Sequence, residues 1–208
     1  MKRLLPLSLP LTLVFIAPAL VRAAAPSTPA APLAATISAE ILADTTAIMQ
    51  GKPFTIAITL TTAPDWHIYW SNAGETGVAT SFKWTRAQYP LEPLGFPIPS
   101  TFVQPGGAMA FGYTGKTTFV FGVVPPKATA AATGTFSVDV NWLACGKDPC
   151  VPGNATLKLI VPLTLQVEQS KEANTDVFDA AWAALPAGVP PNDLFAMAVP
   201  FAGKVPDR

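Results

Sequence analysis

Alternation with a period of two dominates the middle of the chain. Phe54, Ile56, Ile58 and Leu60 are interleaved with Thr55, Ala57 and Thr59, which sends four large apolar side chains to one face of an extended segment. Such a segment is a strand with one buried face. Phe136, Val138, Val140 and Trp142 repeat the pattern around Ser137, Asp139 and Asn141, and Leu157, Leu159 and Val161 repeat it around Lys158 and Ile160. Thr36 to Ala43, His67 to Trp70, Ala79 to Trp84 and Thr117 to Val124 are further candidates. Six or seven short strands punctuated by Pro and Gly predict an all-β chain, an immunoglobulin-like antiparallel β-sandwich. One C-terminal helix is expected between Thr175 and Leu185, with Val177, Phe178, Ala181, Trp182 and Leu185 at helical spacing, Thr175 as its cap and Pro186 beyond its last turn. Its apolar stripe either packs on the sandwich or docks a partner.

The chain is expected to divide into four parts. Residues 1–23 have the pattern of a secretory signal peptide: Lys2 and Arg3 precede an apolar run from Leu4 to Val21, and Val21-Arg22-Ala23 supplies a cleavage site. Pro6, Pro10 and Pro18 argue against a membrane span, because each removes a backbone hydrogen bond that lipid cannot replace. Residues 24–35 form an Ala/Pro-rich linker without aromatic side chains, residues 36–165 the β domain, and residues 166–208 the helix and a Pro-rich tail. Removing the leader takes away Lys2, Arg3 and Arg22 and leaves ten basic against thirteen acidic residues, a formal charge of −3 that is too mild for a charged partner. With 12% charged residues, no nucleic-acid partner is expected. The mature protein is expected to be periplasmic and not an integral membrane protein.

Chemistry has few places to reside, since the chain holds one histidine and two cysteines. His67 alone builds neither a blue-copper nor a catalytic zinc site, and no nucleophile elbow, phosphate loop or HExxH motif is present. No cofactor or metal is expected. For His67 an ordinary, partly exposed position is expected, and Trp66, Tyr69, Trp70 and Trp84 are expected in the sandwich core. The two cysteines stand as Cys145-Gly146-Lys147-Asp148-Pro149-Cys150, after one alternating strand and before the next, so they cap a hairpin. A disulfide there could be a plain staple, although so short a loop removes little chain entropy, about 2 kcal/mol in the standard model. It could equally be exchange-active, since a loop at a sheet end gives an incoming thiolate access to sulfur. Lys147 favours a thiolate and Asp148 opposes it, so the spacing leaves both readings open.

Asn141 to Cys145, Cys150-Val151-Pro152-Gly153 and the strand after them resemble the redox loop of the amino-terminal periplasmic domain of the DsbD/ScsB family of thiol:disulfide interchange proteins. The block from Asp65 to Gly77, with Trp66, Tyr69, Trp70, Asn72 and Gly74, is similar to an aromatic segment of the ScsB-like branch. Phe111-Gly112-Tyr113-Thr114-Gly115-Lys116 resembles the aromatic loop before the next strand. The resemblance spans residues 40–165. It implies an immunoglobulin-like domain that relays electrons from a thioredoxin-like or DsbD/ScsB-type donor to oxidised periplasmic proteins. Cys145 and Cys150 would be the catalytic pair, Cys150 forming mixed disulfides and Cys145 resolving them, and Phe111 and Tyr113 would cap and shield the sulfurs. From the residues alone that aromatic pair could equally be core flanking a turn.

The sequence stops at Arg208 without a multispan region or a thioredoxin-like domain, so electrons are expected from another protein. Two other readings are a non-enzymatic binding or scaffold module with a structural disulfide, and a copper-handling protein using the reduced cysteines with a methionine such as Met109. Disulfide repair, cytochrome maturation and copper tolerance are the processes such a pathway would serve.

Overall fold

The computed structural model describes residues 37–146 and 149–186. The expected signal peptide and linker, Lys147, Asp148 and the tail after Pro186 lie outside the described residues. Eleven strands and one α-helix follow in order: β1 (Ile37–Ala43), β2 (Ile48–Met49), β3 (Phe54–Thr62), β4 (His67–Gly74), β5 (Ser81–Ala87), β6 (Leu91–Gly95), β7 (Ser100–Val103), β8 (Met109–Thr114), β9 (Lys116–Val123), β10 (Thr133–Cys145), β11 (Val151–Thr164) and α1 (Thr175–Ala183). They build an immunoglobulin-like sandwich of two sheets. The smaller is antiparallel in the order β1-β3-β9-β6, and the larger runs β2-β11-β10-β4-β8-β7 with β5 also on β10. Only the short β2 joins its neighbour in parallel among these ladders.

The alternating strands meet face to face. Ile58 and Leu60 of β3 and Phe119 and Phe121 of β9 pack against Ile68, Val138, Val140, Trp142 and Ala144 of the larger sheet. A second cluster joins Phe54 and Ile56 to Tyr89, Val123, Phe136 and Val161. Trp66, Trp70 and Trp84 lie half-buried against the first cluster, and Tyr69 is buried in a separate one.

The sequence predicts β3 as a strand with one buried face, but seven consecutive residues, Phe54 to Leu60, are buried. The reason is α1, whose Phe178 and Ala181 pack on Ala57 and Val120 of the sheet's other face, with Leu94 beside them. Small residues between the large apolar ones let the helix approach. The helix begins at the expected Thr175, but the cap position is Asn174, in the left-handed region at φ 54°. Its amide donates to Ala43 O at 2.8 Å, tying the helix entry to the end of β1. Four strands escaped the sequence pattern: β2, only two residues long, and β6, β7 and β8, where prolines and small residues break the apolar alternation. Among the described residues no helix is long and apolar enough to cross a membrane.

The long pair β10 and β11 positions the cysteines. It runs in continuous register from Thr133↔Pro162 to Ala144↔Val151, so the chain between Cys145 and Cys150 is the hairpin connection. On its other side β10 pairs first with β5 and then, at Ala144 and Cys145, with β4. If α1 is a packing element, Phe178→Ala is expected to lower unfolding free energy by about 3–5 kcal/mol, the usual loss for a buried Phe. Chemical denaturation of the oxidised protein measures it, and a value near zero would make the helix a surface appendage.

Candidate functional site

Strand alternation decides which side chains can meet the cysteines. Trp142 and Ala144 of β10 point into the core, so Leu143 and Cys145 point to the opposite face of the larger sheet. In β4, His67 is the register partner of Cys145, and Tyr69 follows two residues later on the same face. Ile68 and Trp70 take the core side. Cys145 and Cys150 are joined in a disulfide with their Cα atoms 4.2 Å apart. The two sulfurs' residues differ sharply in exposure: Cys145 is 1% exposed, whereas Cys150 is open to solvent.

Tyr69 closes the buried side of this bond. Its hydroxyl donates a hydrogen bond to Cys145 Sγ at 3.0 Å. Burial pushes the phenol's pKa above its ordinary value, which keeps the proton available for donation. The chain returns over the ring after β4: Thr80 N donates to Tyr69 O at 3.1 Å, and Gly77 lies against the aromatic edge. A Cβ at Gly77 would stand 2.2 Å from Tyr69 Cε1, and its φ of 103° suits glycine alone, so this position requires a residue without a side chain.

His67 and Phe102 form the next layer. Their rings stack at 4.5 Å with planes 12° apart, and His67 meets Tyr69 edge-on at 5.2 Å. The Gln104 amide nitrogen lies 3.1 Å from His67 Nε2, a donor to a neutral imidazole. His67 is buried, not partly exposed as its surroundings in sequence suggest, because the side chains of Phe102 in β7 and Gln104 in the turn after it reach over β8 onto its ring. Phe102, Leu143 and Ala73 gather with Tyr69 and Ala110 around Cys145. On the far side, Trp66 packs within about van der Waals distance of Gly146, at the start of the loop between the cysteines.

The expected shielding pair is placed differently. Tyr113 is the register partner of Ile68 and shares its core face, packing on Phe119 and donating its hydroxyl to Pro97 O at 2.9 Å. Phe111, two residues before it, meets Trp70 edge-on. Gly112 is the residue of β8 opposite Tyr69. The structure thus brings Cys145 and Cys150 together and gathers Tyr69, His67 and Phe102 near them, while Tyr113 belongs to the sandwich core. The signal for Tyr69 and His67 was present in the run His67-Ile68-Tyr69-Trp70, where period-two alternation puts the imidazole and the phenol on one strand face and Ile68 and Trp70 on the other. Phe102 carried no such signal, since its strand lies among prolines.

Comparison with known proteins places the chain in a family. The family model described as thiol:disulfide interchange protein DsbD, N-terminal, matches residues 38–162. The N-terminal periplasmic domain of ScsB from Proteus mirabilis is similar in structure, with a TM-score of 0.53 and 19% identity over 73% of this chain and 55% of that one. The chain therefore spans about half the length of that ScsB domain. The DsbD N-terminal domain of Neisseria meningitidis in its reduced form aligns at a TM-score of 0.38 and 9% identity, over 59% of this chain and 86% of that one. No curated protein matches the chain.

Burial holds the His67 pKa below its ordinary value of 6.5, so on acidification the unfolded chain takes up this proton first. The stability tied to neutral His67 is complete above pH 6.5 and is lost as pH falls toward the lower folded-state pKa. Denaturation midpoints measured between about pH 8 and pH 5 should fall on the acid side, and His67→Gln should flatten that slope. Equal slopes in the two proteins would assign the acid sensitivity to other groups.

Proposed function

This chain belongs to the family of the thiol:disulfide interchange protein DsbD amino-terminal domain, and on that premise we propose that it is a thiol-disulfide interchange module whose working groups are Cys145 and Cys150. The observation that carries the proposal is the asymmetry of the bond, with Cys150 exposed and Cys145 buried behind the Tyr69 hydroxyl. In-line attack then falls on Cys150 Sγ, and the departing group is Cys145.

The electron balance is simple. A donor dithiol, of thioredoxin-like or DsbD/ScsB type, attacks Cys150 Sγ through one thiolate. A donor–Cys150 bond forms, the Cys145–Cys150 bond breaks, and the pair leaves Cys145 as a thiolate that accepts the Tyr69 hydrogen bond. The donor's second thiolate displaces Cys150 from the mixed disulfide, so the donor ends as a disulfide and this chain as a dithiol. Toward an oxidised periplasmic protein the steps reverse in role: Cys150 thiolate attacks the substrate disulfide, and Cys145 thiolate then attacks Cys150 Sγ and releases the reduced substrate. Tyr69 lowers the cost of negative charge on Cys145 in both directions. Tyr69, His67 and Phe102 shield the buried sulfur from water and small thiols, and the leader expected in residues 1–23 would deliver the chain to the periplasm, where a disulfide persists.

Cys145→Ala leaves Cys150 able to attack but without a resolving thiol. This variant is expected to accumulate mixed disulfides with periplasmic proteins, visible as reducible adducts on electrophoresis, and Cys150→Ala is expected to accumulate none. If neither does so and the double variant only melts earlier, the bond is a staple. Tyr69→Phe removes a hydrogen bond to a charged sulfur, worth about 1.5–3 kcal/mol, so stopped-flow reduction by a dithiol should slow about 10- to 100-fold. An unchanged rate would remove Tyr69 from the mechanism.

A further inference from the structure

Strand β7 ends the larger sheet, paired with β8 on one side and with no described strand on the other. Gln104 N donates to Ala108 O at 2.8 Å, which sets the phase of the β7–β8 hairpin. Counting back along the register, Phe102/Ala110 and Ser100/Gly112 are the hydrogen-bonded pairs, and Thr101 and Val103 turn their N–H and C=O groups to the open edge. Met109, opposite Val103, fits this phase: its N–H goes to Glu75 Oε2 at 2.7 Å and its C=O accepts from Glu75 N at 2.9 Å, both away from β7. Thr101 is exposed and Val103 is 73% exposed.

Sheet edges are ordinarily blunted by charge, proline or a bulge. Here no charged residue occurs between Glu92 and Lys116. Pro99 and Pro105 bracket β7, but the stretch between them is left open. Outward N–H and C=O groups repeating at two-residue spacing match one partner, an extended polypeptide backbone. A second copy of this chain is a poor occupant, since a four-residue strand buries far less than the roughly 1,200 Å² of a stable interface.

We infer that β7 is a docking edge at which an extended, uncharged segment of an oxidised polypeptide adds to the sheet through Thr101 and Val103, within reach of Cys150. The inference rests on the exchange function proposed above and gives it a substrate class: flexible or unfolded chains bearing a disulfide. Phe102, between the two docking residues, turns inward to the cluster around Cys145, so one short strand serves both edge and redox site. The order β7-β8-β4-β10, at about 4.8 Å per strand, puts a docked strand roughly 19 Å from β10. About six extended residues cover that distance. The substrate cysteine therefore lies at least that far along the chain from the docked segment.

The test uses the whole oxidised protein and an end-capped, cysteine-free peptide of alternating valine and threonine. Amide hydrogen exchange followed by NMR should slow at Thr101 and Val103 when the peptide is added and stay unchanged at Ser100 and Phe102. Thr101→Pro removes an outward N–H without touching the ladder to β8, and Val103→Lys places a charge on the edge; either should abolish the protection. With a thioredoxin-like dithiol donor in excess to keep Cys145 and Cys150 reduced, a peptide carrying the same segment and, about six residues on, a disulfide loop should be reduced with a KM raised about tenfold in both variants. Their kcat and their rate with oxidised glutathione should equal those of the parent. Absence of protection, or protection that needs no peptide and grows with protein concentration, overturns the docking edge. Protection without reduction of the disulfide peptide upholds the edge and overturns the exchange function instead.

Discussion

Every strand of the larger sheet serves two surfaces, and the side chain on one determines what the other can hold. In β4, β8 and β10 the residues Ile68, Tyr113 and Ala144 fill the sandwich interior, and their immediate neighbours Tyr69, Gly112 and Cys145 are forced to the opposite face. Shifting β10 by one residue would bury the cysteine in the core, and shifting β4 would put an isoleucine at the redox site. The long β10–β11 ladder prevents that shift, because twelve consecutive register pairs would have to break together. Position at the site is thus a by-product of core packing rather than of local loop structure.

The opposite side of the molecule shows the same economy. The smaller sheet is a middle layer, held between the larger sheet and α1, so β3 and β9 are buried on both faces. Thr55 and Thr59 lie in that layer buried, and Thr59 shares a hydroxyl hydrogen bond with Thr118 at 3.0 Å. Such hydroxyls keep polar atoms satisfied where a larger apolar residue would push the helix away.

These arrangements explain what could be read from the sequence. The sandwich, the helix near Thr175 and the hairpin carrying the cysteines are local in the chain, and their periodicity or spacing declares them. The burial of β3 could not be read, because the alternation of Ile56, Ala57, Ile58 and Thr59 looks like a solvent-facing strand until a helix more than a hundred residues away is placed on it. The partnership of Tyr69 with Cys145 was hidden for the same reason, since 76 residues separate them. Tyr113 and Tyr69 are both aromatic residues within extended segments, and only the pairing of β4 with β8 and β10 shows which of them reaches sulfur.

The ladder that fixes register also governs what happens once the disulfide is open. Ala144 and Val151, immediately outside the two cysteines, remain paired across the hairpin whatever the oxidation state of the sulfurs, if the ladder stays closed. The two thiols are then tethered neighbours at a high effective concentration, far above that of any thiol in solution. Reclosure becomes an intramolecular event that outpaces competition, so a covalently captured partner would be discharged quickly and the module would be free for its next encounter.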